Sequence, residues 1–215
     1  MTGFSVKKGQ MMGYSLAVLR PMAALRAACA LSILGVMLAG CGTSPNDTYD
    51  LASIRAATTT QSAQKRQVLV ADPTALKVLD SDMIVGRVSG TEMRYLAKSQ
   101  WSDKLPRMGQ SKLVEAFENT GKLGGVGKPG QGLAIDYQLL SDIRTFEVEA
   151  GGIRRANVEI SVKLLNDRNG SVISQKVFSA SVPARGGDNQ ALVNALSQAF
   201  AKVSGDIVNW TLTTI

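Results

Sequence analysis

The chain has 215 residues, 45% apolar, 19% charged and 5% aromatic, with no histidine, two cysteines and a formal net charge of +7. That length fits one domain, or one domain plus a processed segment, and the apolar fraction excludes wholesale disorder. Without histidine there is no histidine-based triad, no histidine metal ligand and no ordinary near-neutral proton shuttle, and two cysteines cannot build a four-cysteine zinc site or a disulfide framework.

Residues 1–40 carry Lys7, Lys8, Arg20 and Arg26 and no acid. Within them, residues 27–40 form an uncharged, mostly apolar run of 14 that includes Cys29. That is the length of a signal-peptide core, short of the roughly 18 to 20 residues a membrane span needs. The run closes on Leu38-Ala39-Gly40-Cys41. These residues resemble the lipobox of a bacterial lipoprotein signal peptide. The resemblance implies cleavage before Cys41, a diacylglycerol thioether on its sulfur, and a further acyl chain such as palmitate on the new amino group. Small residues at 39 and 40 suit a narrow peptidase cleft, and a thiol suits alkylation. Two or more acyl chains hold a protein stably on a membrane, where one is marginal. Gly42, not an aspartate, occupies the sorting position, which in such lipoproteins favours the outer membrane over retention in the inner one. A plain secretory signal or an N-terminal anchor helix, with a chance cysteine, is the alternative. Removing the four basic residues of the first 40 leaves 20 against 17 acids, a net +3. The basic excess thus belongs mostly to targeting, which argues against a nucleic-acid partner.

Residues 41–48 read as a lipidated polar tether and 49–215 as one folded domain. Residues 49–54 alternate weakly and predict a first strand, and residues 55–66 predict a polar loop. Residues 67–70 lead into an Asp72-Pro73 turn. Residues 76–79 suggest a helical turn, 83–88 a short strand, and 92–97 another strand with Met93 and Tyr95 on one face and Arg94 on the other. Pro106 suits the first turn of a helix over about 106–120, with Met108, Leu113, Ala116 and Phe117 at helical spacing and Gly121 as its stop. The glycine-rich residues 121–132 predict a flexible connection.

From Leu133 the pattern becomes strand-like. Val158, Ile160, Val162 and Leu164 give the cleanest period of two, residues 166–170 a hairpin loop, and 171–182 a third long strand. The three strands predict an antiparallel meander with one buried and one wetter face. Asp188 is a good N-cap for a final helix over about 188–212, whose apolar stripe through Leu192, Leu196, Ala199, Phe200, Val203, Ile207 and Trp210 must cover the sheet.

Few residues offer chemistry. Gly125-Val126-Gly127-Lys128-Pro129-Gly130 matches G-x-G-x-x-G, but a dinucleotide loop follows a strand and opens a helix, and here the predicted order is reversed. Ser62 and Lys65 have S-x-x-K spacing in a polar loop without partner motifs. The pairs Asp80/Asp82 and Glu147/Glu149 read as surface charge, and residues 166–170 are too short for a calcium loop. No catalytic residue, metal site or cofactor is expected. Tyr95, Trp101, Leu105 and Pro106 lie where a strand passes into a helix. They read either as a core tryptophan stapling that junction or as an exposed aromatic edge for a partner or lipid.

At this segment the chain resembles the ABC-type transport auxiliary lipoproteins, which include the lipoprotein of the paraquat-inducible system. The matching stretches are Cys41 with Tyr49-Asp50-Leu51, Val78-Leu79-Asp80-Ser81-Asp82 with Ile84-Val85, and Tyr95-Leu96 with Trp101 and Leu105-Pro106. They continue with Leu113-Val114 and Ala116-Phe117-Glu118, Asp136-Tyr137-Gln138-Leu139 with Ile143-Arg144 and Phe146, and the two following strands. The resemblance implies a single α/β domain with a mixed sheet and packed helices. It also implies a non-enzymatic lipoprotein on the periplasmic face of the outer membrane. Its implied partners are an MCE-domain periplasmic protein and an ABC permease and ATPase that move phospholipid or other lipid. MCE proteins form rings, so a matching homo-oligomer is one implied arrangement. A structural envelope lipoprotein without a transport role is the second reading.

Overall fold

The computed structural model describes Thr2 and residues 45–54, 60–149, 151 and 154–215. The described elements, in order, are β1 (Asp47–Tyr49), β2 (Ala63–Val70), β3 (Thr74–Ala75), β4 (Met83–Arg87), β5 (Met93–Trp101), α1 (Leu105–Glu118), β6 (Leu123–Gly127), β7 (Tyr137–Glu149), β8 (Arg155–Asn166), β9 (Val172–Pro183) and α2 (Asn189–Thr214). They build a mixed α/β domain on one open sheet of nine strands.

Strand β7 is the spine. One of its edges pairs antiparallel with β8 along nearly its whole length, and β8 pairs antiparallel with β9. The other edge accepts three parallel strands in succession: β2 at Tyr137–Leu139, β3 at Asp142 and Ile143, and β4 at Glu147–Glu149. Beyond β4 lies β5, antiparallel, and beyond it β1, parallel to β5. The predicted meander is therefore present, extended by a parallel half.

Alternation sets the two faces. In β8, Ala156, Val158, Ile160, Val162 and Leu164 are buried while the residues between them are partly or fully exposed. The buried row lies under α2, whose Leu196, Ala199, Phe200, Val203 and Ile207 are all 1% exposed or less. Each side chain of that size contributes roughly 1.5 to 3 kcal/mol when fully buried. Asp188 caps α2, its carboxylate accepting from the Ala191 amide at 2.7 Å. The α1 helix carries Pro106 in its first turn and packs Met108, Leu113, Ala116 and Phe117 inward, with Gly121 at φ +61° just past its end.

Four expectations need correction. The first strand is Asp47–Tyr49, so it takes two residues from the predicted tether; Leu51 and Ile54 are buried without strand geometry. Strand β2 begins at Ala63, inside the predicted loop, because its N-terminal half pairs with β6. The glycine-rich stretch is not a free connection, since Leu123–Gly127 forms a parallel edge strand. There a Cβ on Gly124 would stand 2.4 Å from the Gln64 carbonyl oxygen, so the strands approach only because that residue is glycine. Finally, β7 begins at Tyr137, four residues after the alternation starts. The Asp136 carboxylate accepts from the Gln67 amide at 3.0 Å and anchors the approach to the strand.

Candidate functional site

Tyr95 and Trp101 share one strand, and an uninterrupted period of two would set them on one face. They lie on opposite faces. Between them the β4–β5 ladder slips, from Val85↔Tyr95 to Met83↔Gln100, and Lys98 adopts φ +55°. This bulge inserts extra residues on β5 and reverses which side chains point inward. Leu96 is half-buried ahead of the bulge, and Ser99 and Trp101 are buried after it. Asn189, the first residue of α2, clamps the bulge by donating to the Ala97 carbonyl at 3.0 Å and the Ser99 hydroxyl at 2.6 Å.

Trp101 is 2% exposed and meets Phe146 edge-on at 5.8 Å, and Phe146 meets Phe200 at 5.9 Å. Leu105 and Pro106 are also buried at the start of α1, where the Leu105 amide donates to the Ser81 carbonyl at 3.0 Å. The strand-to-helix junction is thus held by the core, and Trp101, Leu105 and Pro106 do not form the exposed edge that was one reading of them. Tyr95 alone is open, at 47%, on the sheet face away from the helices, near Met93 at 37%. Cys41 and Gly42 lie outside the described residues.

The same open face holds a pair that sequence reasoning misplaced. Glu147, read as surface charge, is 4% exposed. Both its oxygens accept from Arg87, Oε1 from Nε and Oε2 from Nη2 at 2.9 Å, while Arg87 Nη1 donates to the Gly90 carbonyl at 3.1 Å. The hydrogen bond to Glu147 raises the Arg87 pKa, desolvation opposes it, and the charges of Glu147 and Glu149 add to the rise. A planar guanidinium meeting a carboxylate in this way fixes β4 against β7. Its only signal in sequence would have been an arginine and a glutamate on two separate predicted strands.

Two of the shallow grooves on the described surface carry charged side chains. One of about 590 Å³ runs between β9 and α2, past Lys176, Phe178, Asp206 and Trp210. The other, about 470 Å³, lies at the start of α1, among Asp72, Asp80, Lys104, Arg107 and Lys128. There Lys104 pairs with Asp80 at 3.4 Å, and Lys128 donates to the Ser111 hydroxyl at 2.7 Å. These groups offer charge and hydrogen bonding. Among the described residues no group of three or more His, Cys, Asp or Glu could hold a metal ion, and no helix is long and apolar enough to cross a membrane.

Comparison with known proteins agrees with this architecture. Residues 49–208 match the family described as the ABC-type transport auxiliary lipoprotein component. An uncharacterized protein of Bradyrhizobium diazoefficiens is 26% identical over 165 residues, which are 77% of this chain and 44% of that protein; the chain spans less than half the length of that relative. The crystal structure of a Xanthomonas campestris protein, classed in a domain family of unknown function, superimposes with a TM-score of 0.73 at 28% identity, covering 78% of this chain and 95% of that one. A second crystal structure, of an uncharacterized protein, shares the fold with a TM-score of 0.64 at 16% identity over 78% of this chain and 99% of that one.

Proposed function

The chain belongs to the ABC-type transport auxiliary lipoprotein family, and on that footing we propose that it is the outer-membrane subunit of an MCE-type lipid transport system. The observation that carries this reading is the order of two features on one chain: Leu38-Ala39-Gly40-Cys41, then a family domain starting eight residues after that cysteine. Cys41 carries the acyl chains, and Gly42 directs the protein to the outer membrane. The domain works by binding. It meets a periplasmic MCE-domain protein that connects to an ABC permease and ATPase in the inner membrane. Supporting this, the described domain presents shallow polar grooves and a buried aromatic core.

The test has two arms. Full-length tagged protein is withdrawn from native membranes in mild detergent, and its partners and N-terminal peptide are identified by mass spectrometry. An acylated Cys41 peptide together with an MCE protein and its permease is the expected result. In the second arm, Cys41→Ser should remove the protein from the outer-membrane fraction; unchanged fractionation of that variant would sink the anchoring claim. An acylated Cys41 without those partners would leave the lipoprotein and remove the transport role.

A further inference from the structure

We propose that one end of the sheet, carrying Val88, Met93 and Tyr95, lies against the phospholipid surface to which the chain is anchored. This rests on the reading of Cys41 as the lipidated residue.

The argument begins with chain length. Four residue steps separate Cys41 from Pro45, and extended chain spans at most about 3.6 Å per residue. A lipidated Cys41 therefore puts the bilayer interface within about 14 Å of Pro45. Strand β1 then fixes which part of the domain that is. Because β1 runs parallel to β5, with Asp47 beside Ser99, the chain reaches β1 from the direction in which β5 begins. That end is shared by a row of paired residues across the sheet: Met93 with Arg87, Arg87 with Glu149, Glu149 with Arg155, and Arg155 with Pro183. The hairpin loop after Asn166 marks the opposite end. The 12 residues of β8 separate the two ends by roughly 36 to 40 Å at about 3.3 Å per residue. With the strands upright on the bilayer, a tether of that length reaches the membrane from the near end and not from the far one.

Side chains at the near end suit the interface. Val88 is 41% exposed in the β4–β5 turn, and Met93 and Tyr95 project from the adjoining strip of open face. Tyrosine favours the depth at which its ring is apolar and its hydroxyl wet. Exposed charges at the same end are evenly matched, Arg94, Lys98, Arg154 and Arg185 against Asp47, Glu92, Glu149 and Asp188. Of the other large exposed apolar side chains, Val172 and Ile173 belong to the far end, Val177 to the middle of β9 opposite Ser161, and Leu76 to the loop after β3, and an upright domain leaves them free for a periplasmic protein.

The test uses full-length, processed protein reconstituted into vesicles of phosphatidylethanolamine and phosphatidylglycerol. With Cys41 acylated, a cysteine introduced as Ser89→Cys or Arg168→Cys is the free thiol of the mature chain and takes a donor dye; the acceptor is a labelled lipid. Energy transfer from position 89 should exceed that from position 168 several-fold. Adding Met93→Asp and Tyr95→Asp should bring the position-89 signal down toward that of 168 while the protein stays on the vesicle. Equal transfer from both positions, or more from 168, on protein whose Cys41 peptide is acylated overturns the proposed orientation and leaves the anchor standing, with the Tyr95 strip then assigned to a protein partner. An unmodified Cys41 peptide removes the anchor and, with it, the orientation.

Discussion

Trp101 and Tyr95 stand six residues apart and should respond in opposite ways to the same substitution. Truncating Trp101 removes a ring that fills the junction between Phe146 and the start of α1. The cost is the lost transfer free energy plus a cavity, about 3 to 5 kcal/mol. Tyr95→Ala, on the open face, should change stability by no more than about 0.5 kcal/mol. Urea titration of both variants checks this, and equal loss in the two would contradict the bulge. The pair could not be separated from sequence because a bulge is set by how two strands pair, and a period of two has no mark for the residue that interrupts it. Glu147 was hidden for a related reason, since the arginine that neutralises it is 60 positions away. Arg87→Met should leave that carboxylate buried without a cation and cost about 3 kcal/mol, at the low end for a broken buried pair because the Arg87 side chain keeps 27% exposure. The double substitution Arg87→Met with Glu147→Leu should recover most of the loss. The sign of the pH effect follows from the raised Arg87 pKa: the stabilisation is complete below the unfolded value and is lost only as pH rises through the folded one. For an arginine that window lies beyond the ordinary alkaline range, so the wild-type urea midpoint should not fall between neutrality and about pH 10 on this residue's account.

Whole elements were legible in proportion to the side chains that carried their period. The strands of the meander and both helices have long apolar rows, and their observed bounds, Leu105–Glu118 and Asn189–Thr214 for the helices, fall within two residues of the predicted ones. Strand β6 has the sequence LGGVG, and glycines present no face for alternation to mark. Its existence depends on β2, whose own N-terminal half is polar and exposed because it lies at the edge of the sheet. The two weak strands hold each other, and Gly124 is the point of closest approach. Gly124→Ala would place a Cβ 2.4 Å from the Gln64 oxygen, closer than any real contact, and should force the backbones apart. Overpacking of this kind costs roughly 1 to 3 kcal/mol. Amide exchange should locate the damage: protection falls in Gln67–Leu69 and Leu123–Gly127 and holds in the β8–β9 ladder. Uniform loss across the sheet would mean that β2 and β6 are part of the cooperative core rather than a separable edge.

For the molecule as a whole, the described fold lies in one part of the sequence and the proposed anchor in another. Pro45–Ile215 forms a compact unit by itself, and one apolar cluster links both helices to the strands within it, from Leu51 to Leu212. On the proposed reading, folding free energy comes from the domain and attachment from Cys41. Protein spanning residues 45–215 should unfold cooperatively, with a urea midpoint and slope matching those of the full-length protein in the same detergent, because the slope follows the surface exposed on unfolding. The same segment should fail to sediment with vesicles of phosphatidylethanolamine and phosphatidylglycerol at the protein concentrations that suffice for the acylated chain. Val88, Met93 and Tyr95 together offer only a small apolar contact, too little to hold the domain on a bilayer without acyl chains. A lower midpoint for the segment would mean that residues 1–44 contribute to the fold. Strong vesicle binding by the segment would mean that the sheet end, rather than the cysteine, supplies the anchor.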